Sequence, residues 1–557
     1  MAQLARALPL FDVAREPDEY AAHGEVHTRR WVVELILDLI GYRAARNLAD
    51  LRVVEPACGH GAFLEVITRR LSESCRVHQR SLIDAAGAVR AMDLLQRNVD
   101  ESRHVVRRTL ARDGWDPDVA AEVANLWVRQ GDYLLDDFDR PEADLVVGNP
   151  PYIRLEDIPI ERMRLYRHAC RTMTGRADIY VGFFEVALAS LRSGGKLGFI
   201  CADRWMRNQY GRDLRRLVSR TGSVDVVVSM HDVDAFHDQV SAYPAISVLR
   251  KGKQGPAIVV QASRGFDAQG ATELGAWVQS QSHDALAGRG FAAARLPVWF
   301  SGDDLWPAAS PARLTMIEQL NDRFAALGDP ASGVRIGIGV ATGADTVFIT
   351  RDPDLVEPAR LLPLAMAGDT KSGNLEWSGN YLVNPWDDSG RLVSLDAFPR
   401  LANYLTRHAD VLGRRHVGRR QPTRWYRTID KVDARLTALP KLLLPDMKIT
   451  SQPVLDEGGH YPHHNLYYVV SDSWDLRVLG GLLLSKVAEA FVDAYAVKMR
   501  GGTLRFQAQY LRRIRVPARA DVTVADRRAL AEAFERRDAD AATAAALRVY
   551  GLGCLPD

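Results

Sequence analysis

Between Glu25 and Lys253, short runs of β-branched and aliphatic residues alternate with longer stretches in which apolar residues recur every three or four positions. LRVVEP, GAVRAMDL, ADLVVGNP, GKLGFICAD, SVDVVVSM and AISVLRK have the length and composition of strands. WVVELILDLIGY, AFLEVITRRL, VDESRHVVRRTLARD and FFEVALASLRSG carry the helical period. Apolar strands separated by amphipathic helices predict an α/β fold, a mostly parallel sheet covered by helices on both faces. Ligands of such sheets lie at the C-terminal ends of the strands. After Lys253 the rhythm breaks into shorter strand-like pieces (RIGIGVA, TVFIT, YLVNPW, KLLLP, LYYVVS) and one helical stretch, WDLRVLGGLLLSKVAEAFVDAYAV. The expectation is a first domain over 1–253 and a second, mixed α+β domain over 254–557, closed by a pair of amphipathic helices in ADRRALAEAFERRDADAATAAALRVYGL.

Composition narrows the class without naming an activity. With 47% hydrophobic and 25% charged residues in 557, the chain reads as a folded protein and not as a disordered or collagen-like one. Lys and Arg number 72 against 70 Asp and Glu, so a polyanionic partner would be held by local basic clusters and not by net charge. Five scattered cysteines without a Cys-x-x-Cys pair disfavour a disulfide framework and a zinc ribbon, and no metal is expected. No run of about 18 apolar residues and no secretory signal is visible, so no membrane partner is expected and the compartment is read as cytoplasmic.

VVEPACGHGAFL runs from a strand into a glycine turn, with Glu55, Pro56 and Ala57 leading to Gly59 and Gly61 and then a helix. A phosphate-binding turn offers positive potential, whereas Glu55 at the strand end would repel a pyrophosphate and suits a cation such as S-adenosylmethionine. Asp93, ending the next strand, is placed to accept from a ribose diol. Asp132 in QGDYLL is a candidate acceptor for an adenine amino group, with a loop-capping role as the alternative.

In ADLVVGNPPYIRLEDIP the strand meets Gly148-Asn149-Pro150-Pro151-Tyr152, and two prolines take the chain out of the sheet at its C-terminal edge. An exocyclic amine on a base is a poor nucleophile because its lone pair is delocalised into the ring. Two acceptors gripping its hydrogens favour the tetrahedral form that attacks a methyl group. Asn149, through its side-chain oxygen, and Pro150, through its carbonyl, supply such a pair, and Tyr152 offers a π-face for the base.

EPACGHGAFL followed by GNPPY resembles the adenine-N6 DNA methyltransferases of the TaqI type, the gamma order of motifs. That resemblance implies a Rossmann-like, mostly parallel, seven-stranded methyltransferase sheet with S-adenosyl-L-methionine as methyl donor, and double-stranded DNA as substrate. The family begins with a Thr-Pro segment before the cofactor turn, matched here by Thr28 although Arg29 replaces the proline, and the resemblance implies that Thr28 and Asn149 also contact the cofactor. GRADIYVGFFEVAL is similar to the helix covering the cofactor adenine, which assigns Phe183 to that wall with Asp178 and Tyr180 on the approach. VDAFHDQVSAYPAISVLRK is similar to the last catalytic motif, in which Phe236, or failing it Tyr243, stacks on the flipped adenine. The reading is therefore a methyltransferase domain over 1–253 and a target-recognition domain over 254–557, with the adenine stacked between Tyr152 and Phe236.

The second half adds a physical argument for DNA. TRHADVLGRRHVGRRQPTRWYRT concentrates Arg407, Arg414, Arg415, Arg419, Arg420, Arg424 and Arg427 with Trp425 and Tyr426 between them, as a phosphate-contacting surface does. MRGGTLRFQAQYLRRIRVP adds Arg500, Arg505, Arg512, Arg513 and Arg515, with Gln507 and Gln509 able to read adenine edges.

The rivals differ in chemistry. Cytosine-C5 transfer needs a thiolate, and no Pro-Cys pair follows the sheet edge. Cytosine-N4 transfer shares the amine logic, with Asn in place of Ser before Pro-Pro-Tyr favouring adenine. Protein glutamine N5-methyltransferases also resemble this turn but lack a long arginine-rich extension. A fused restriction and methylation enzyme would need a clustered nuclease site, and only Asp369-Thr370-Lys371 and Asp446-Met447-Lys448 offer short matches. A cognate restriction endonuclease is accordingly expected as a separate chain.

Overall fold

The computed structural model describes residues 26–136, 142–237, 243–280, 283–300, 302–496 and 504–556. They divide into two compact units, one ending at Thr315 and one beginning at Met316.

The first unit is an α/β sheet whose elements follow the sequence pattern. In chain order they are α1 (Arg30–Ile40), β1 (Val53–Glu55), α2 (Ala62–Val77), β2 (Val89–Asp93), α3 (Gln96–Arg112), α4 (Pro117–Trp127), β3 (Val128–Gln130), β4 (Ala143–Gly148), α5 (Ile160–Ala169), α6 (Tyr180–Ser190) and β5 (Leu191–Ala202). They continue through α7 (Arg212–Thr221), β6 (Gly222–Ser229), β7 (Pro244–Lys251), β8 (Ala257–Ala262), α8 (Ala268–Ser280), β9 (Ala285–Gly288) and β10 (Phe291–Leu296). All six strands read from the sequence are present. Missing from that reading, within 25–253, were α4, α5, α7 and the short strand β3, whose three residues, Val-Arg-Gln, carry no alternation to detect.

The strand order is β3-β2-β1-β4-β5-β7-β6-β8-β10-β9. The sheet therefore has ten strands, not seven: the first seven form one continuous run and β8, β10 and β9 extend it. β1 to β5 pair in parallel, β7 runs antiparallel between β5 and β6, and β8 is parallel to β6. Because β8 pairs with β6, the boundary expected at Lys253 falls inside the sheet and the first unit runs on to Thr315. The order reverses between β1 and β4, which opens a crevice at the C-terminal ends of those strands.

α1 anchors the preceding segment, whose Val26, His27 and Thr28 line one wall of that crevice. Its residues Val32, Val33, Leu35, Ile36, Leu37, Leu39 and Ile40 are buried, each stabilising the fold by roughly 1.5–3 kcal/mol relative to exposure. It lies so close to β5 that a Cβ on Gly198 would come within 2.8 Å of Ile40 and 2.9 Å of Ile36, so any side chain there would push the helix off the sheet. The segment immediately before α1 carries Thr28 and is held in place by this packing.

The second unit is mixed α+β. β11 (Val334–Ile338), β12 (Lys441–Pro445), β13 (Val454–Asp456) and β14 (Leu466–Ser471) form an antiparallel sheet in the order β11-β14-β12-β13. A second four-stranded sheet contains Leu361–Ala365 and Tyr381–Val383. TVFIT, expected as a strand, is a helical turn over Asp345–Phe348 followed by a two-residue strand. The arginine-rich run folds as α9 (Pro399–Arg407), α10 (Ala409–Arg414) and α11 (His416–Arg420). The long helical stretch is two helices, α12 (Leu476–Leu484) and α13 (Lys486–Tyr495), because Ser485 is extended and its hydroxyl caps α13 by accepting from the Ala488 N–H. The expected terminal pair is α14 (Val524–Glu535) and α15 (Ala539–Tyr550). No helix among the described residues is long and apolar enough to cross a membrane.

Candidate active site

Parallel strands deliver their C-terminal residues to one edge, and that is how residues far apart in sequence meet here. Thr28, Glu55, Pro56, Ala57, Gly59, Asp93, Asp132, Asn149 and Phe183, all expected at a cofactor, line a single cavity at the β1/β4 reversal. Gly61 does not line it. Its φ of +84° turns the chain into α2, where a Cβ would press on Val105 at 3.2 Å. Gly59 has a φ of +50° and open space where a Cβ would stand, so the backbone of the turn is accessible from the cavity.

Glu55 is 1% exposed, and its Oε2 is buried without a hydrogen-bond partner. Burial, and secondarily the charge of Asp93, push its pKa well above the carboxylate range. A buried acceptor left unmatched is costly, so this position suits a ligand that brings a cation or a donor.

Asp93 is committed locally: it accepts from the backbone N–H of Gly59 (2.9 Å) and of Leu95 (2.9 Å) and from Asn98 Nδ2 (3.0 Å). A ribose at this edge would meet a carboxylate already held in place by the glycine turn. Asp132 is likewise engaged. Its Oδ1 accepts from Leu134 N (3.1 Å), and its Oδ2 from Arg162 Nη1 (3.1 Å) and Tyr166 OH (2.8 Å). Desolvation raises its pKa against the opposing pull of Arg162. Both oxygens thus have protein donors, which makes Asp132 the anchor of that wall. Arg162 and Tyr166, both on α5, escaped the sequence reading, as did Tyr133, whose ring stacks on Phe183 at 5.5 Å and 24°.

The Asn149 amide has one orientation available. Its Nδ2 donates to the Val26 carbonyl (3.0 Å) and to Thr28 Oγ1 (3.2 Å), and a backbone carbonyl can only accept. Nδ2 must therefore face the Val26–Thr28 segment. The Oδ1 atom is left buried and without a partner. Thr28, expected at the cofactor, also orients this amide.

Tyr152 donates from its hydroxyl to Ile200 O (3.4 Å), and its ring meets Phe236 with centroids 6.3 Å apart and planes at 80°. Perpendicular rings cannot both lie flat on one base, so the predicted sandwich of Tyr152 and Phe236 is not formed; in this structure the Phe236 ring packs against Tyr152 instead. Asp178 accepts from Tyr210 OH (3.3 Å), which also bonds Tyr180 OH (2.8 Å). Tyr243, the alternative to Phe236, packs on His231 at 4.8 Å.

The arginine cluster of the second unit divides by role. Arg414, Arg419, Arg420 and Arg424 are exposed. Arg415 is not a free cation: it donates to the carbonyls of Leu412, Thr342, Trp425 and Arg427 at 2.7–3.1 Å and lies over the Phe348 ring. Desolvation lowers its pKa. The expectation that Arg415 presents itself to phosphate is corrected accordingly, because its N–H groups are spent inside the fold. Trp425 is half-buried and packs on the local core. Arg505 pairs with Asp446, and Gln507, with its amide turned to suit its neighbours, accepts from Arg505 at 3.2 Å. Gln509 Nε2 lies 3.0 Å from the Gln507 amide. This ordered polar row is flanked by exposed Met447 and Ile449, which the sequence reading did not single out. Arg500 lies outside the described residues. Among those residues, Asp345, His463 and His464 form a possible metal-donor group, with His463 Nε2 3.2 Å from Asp345 Oδ2. Asp345 lies 118 residues before His463, and that separation hid the group.

Comparison with known proteins gives a consistent result. A family model described as Eco57I restriction-modification methylase matches residues 103–236. The type II methyltransferase M.PaeR7I of Pseudomonas aeruginosa is 43% identical over 535 residues, covering 95% of this chain and 92% of that protein. M.XhoI of Xanthomonas vasicola is 40% identical over 545 residues, covering 96% and 98%. In three dimensions the chain is similar to the type IIL restriction-modification enzyme MmeI solved in complex with DNA, with a TM-score of 0.53 at 11% identity, covering 94% of this chain and 72% of that one. At that identity the likeness is one of fold.

Proposed function

This chain belongs to the type II methyltransferases of restriction-modification systems, and we propose that within that family it transfers a methyl group from S-adenosylmethionine to N6 of an adenine flipped out of duplex DNA. The observation that carries the reading is the Asn149 amide: Val26 and Thr28 turn its nitrogen away and leave Oδ1 as a buried, unpaired acceptor. An exocyclic amino group is the donor that such an atom lacks. With the Pro150 carbonyl as second acceptor, both amine hydrogens are gripped, the nitrogen becomes pyramidal and its lone pair is released for attack.

The cavity beside it fits the cofactor. Glu55 offers an unmatched buried acceptor to a cation, the Gly59 backbone is open, and Phe183 with Tyr133 supplies an aromatic wall. S-adenosylmethionine, when bound, supplies a methyl group made electrophilic by its sulfonium. Asn149 lines this same cavity, so donor and acceptor groups meet at the end of β4. Phe236 must rotate for both its ring and that of Tyr152 to face one base. The second unit reads DNA: exposed Arg414, Arg419, Arg420 and Arg424 contact phosphates, and the Asp446-Arg505-Gln507 row contacts base edges. Methylated host DNA is protected from a cognate endonuclease carried on another chain, in the cytoplasm.

The test is nucleoside mass spectrometry of DNA methylated by the purified chain with isotopically labelled S-adenosylmethionine. Labelled N6-methyladenine is expected. Labelled N4-methylcytosine would replace this reading with its nearest rival, and labelled protein in place of DNA would end both.

A further inference from the structure

The Val26–Arg29 strap meets the loop carrying Phe236 as a short piece of antiparallel ladder. Arg29 N donates to Ala235 O at 3.0 Å and His237 N donates to His27 O at 2.9 Å. Thr28 and Phe236, which face each other across these bonds, are therefore the non-hydrogen-bonded pair. In such a pair both side chains leave on the same face at the closest spacing that two strands allow. This places the Thr28 hydroxyl on Asn149 and the Phe236 ring on Tyr152 from a single register. A slip of the loop by one residue would turn the Phe236 ring to the opposite face from the Thr28 hydroxyl.

Arg29 holds that register. Besides its backbone bond to Ala235, its Nε donates to the Phe236 carbonyl (3.1 Å) and its Nη2 pairs with Asp234 (2.6 Å). Three consecutive residues of the loop are thus tied to one arginine. The similar family carries proline here, which has neither an N–H nor a guanidinium and could make none of these bonds. We infer that Arg29 is a positioning residue of this chain: it locks the Phe236 loop to the strap that orients Asn149, so that the stacking ring and the catalytic amide meet the target base as one unit. The Asp234 carboxylate side is 79% exposed and adds little. The effective contacts are the two bonds to backbone carbonyls, which define where the Phe236 main chain sits. The inference rests on the proposed function above.

The test uses the full chain, S-adenosylmethionine, and a duplex with 2-aminopurine in place of the methylated adenine, whose emission falls when a flipped base is stacked. Arg29→Met keeps the backbone N–H and the aliphatic stem and removes the guanidinium; Arg29→Lys is the milder companion should the first fail to fold, and Asp234→Ala removes only the exposed pair. In Arg29→Met, single-turnover methylation of the natural duplex should fall by about 5- to 30-fold, the effect of removing one or two hydrogen bonds. The emission of the analogue should change in the same direction as in Phe236→Ala, while S-adenosylmethionine affinity stays within about twofold. Arg29→Lys should lie between, and Asp234→Ala near the wild type. If Arg29→Met, or Arg29→Lys in its place, matches the wild type in rate and emission while Phe236→Ala alters both, the positioning role is wrong. A loss of cofactor affinity as large as the loss of rate would also overturn it, since that is what general damage to the pocket produces. If Phe236→Ala itself changes nothing, it is the proposed contact with the base that fails.

Discussion

Glu55→Gln separates two consequences of burying a carboxyl group at the end of β1. The side chain is 1% exposed with an unmatched Oε2, and burial raises its pKa well above the usual 4.5. An acid whose pKa is raised by folding stabilises the fold while it is protonated. That contribution is complete below the unfolded value and is lost as pH rises through the folded one. The cofactor-free wild type should therefore lose stability on going upward from pH 4.5, by about 1.4 kcal/mol for each unit by which folding raises the pKa. The near-isosteric amide never ionises and should lack that slope, leaving the variant the more stable protein at neutral pH. Cofactor binding has the opposite demand. A cation beside Glu55 favours the carboxylate, so binding should release a proton wherever the free group holds one, and affinity should rise with pH until the free site is ionised. The bond removed in Glu55→Gln is charge-assisted, about 1.5–3 kcal/mol, or roughly 10- to 150-fold in Kd. The depth of the site places the effect toward the upper end. Isothermal titration calorimetry of S-adenosylmethionine in two buffers of different ionisation enthalpy, from about pH 5 to about pH 8.5, measures affinity and proton release together; thermal melts over the same range measure the stability slope. A variant that binds with wild-type affinity at every pH, beside a wild type that releases no proton, would refute the role given to Glu55.

Four further outcomes are expected. Asn149→Ala should leave DNA and cofactor binding within a few-fold and cut single-turnover methyl transfer by about 100-fold or more, because the missing acceptor acts mainly as N6 becomes pyramidal; a rate within about tenfold of wild type, a barrier change of ~1.4 kcal/mol, would count against it. Thr28→Val removes the hydroxyl that accepts from the Asn149 amide and should slow transfer by about tenfold, whereas Thr28→Ser should restore it, with cofactor Kd by calorimetry distinguishing this from a direct cofactor contact. Replacing Arg414, Arg419 and Arg420 with alanine should flatten the salt dependence of DNA binding by about 0.9 in slope for each phosphate no longer neutralised, on cognate and scrambled duplexes alike; Arg415→Ala should instead lower thermal stability, by roughly 2–4 kcal/mol for its bonds to four carbonyls, seen as a drop in Tm.

The Asn149→Ala and Thr28→Val experiments depend on different kinds of information. Asn149 was legible in the text, because two prolines after an apolar strand leave few conformations and force the residue before them to the sheet edge. The freedom of its oxygen was not, since that depends on a carbonyl 123 residues earlier. Arg415 shows the same limit from the other side: a run of arginines looks uniform in sequence, and only the burial of one guanidinium among four carbonyls distinguishes a strut from a surface cation.

By itself, then, the sequence determined what local chemistry dictates. The alternation of apolar strands and amphipathic helices set the α/β class of the first unit, the glycine turn followed Glu55, and Asn149-Pro150-Pro151-Tyr152 left the sheet at its C-terminal edge. These properties depend on residues within a few positions of one another, where periodicity and restricted backbone angles are strong signals. Tertiary structure decided the rest. The extension of the sheet to ten strands past Lys253 comes from pairing between β6 and β8, the engagement of Asp132 by Arg162 and Tyr166 from a helix packed across it, and the perpendicular setting of Tyr152 and Phe236 from side-chain packing. Each is a contact between segments whose separation along the chain leaves no local trace, and it exists only once the chain has folded and each buried polar atom has found, or failed to find, a partner.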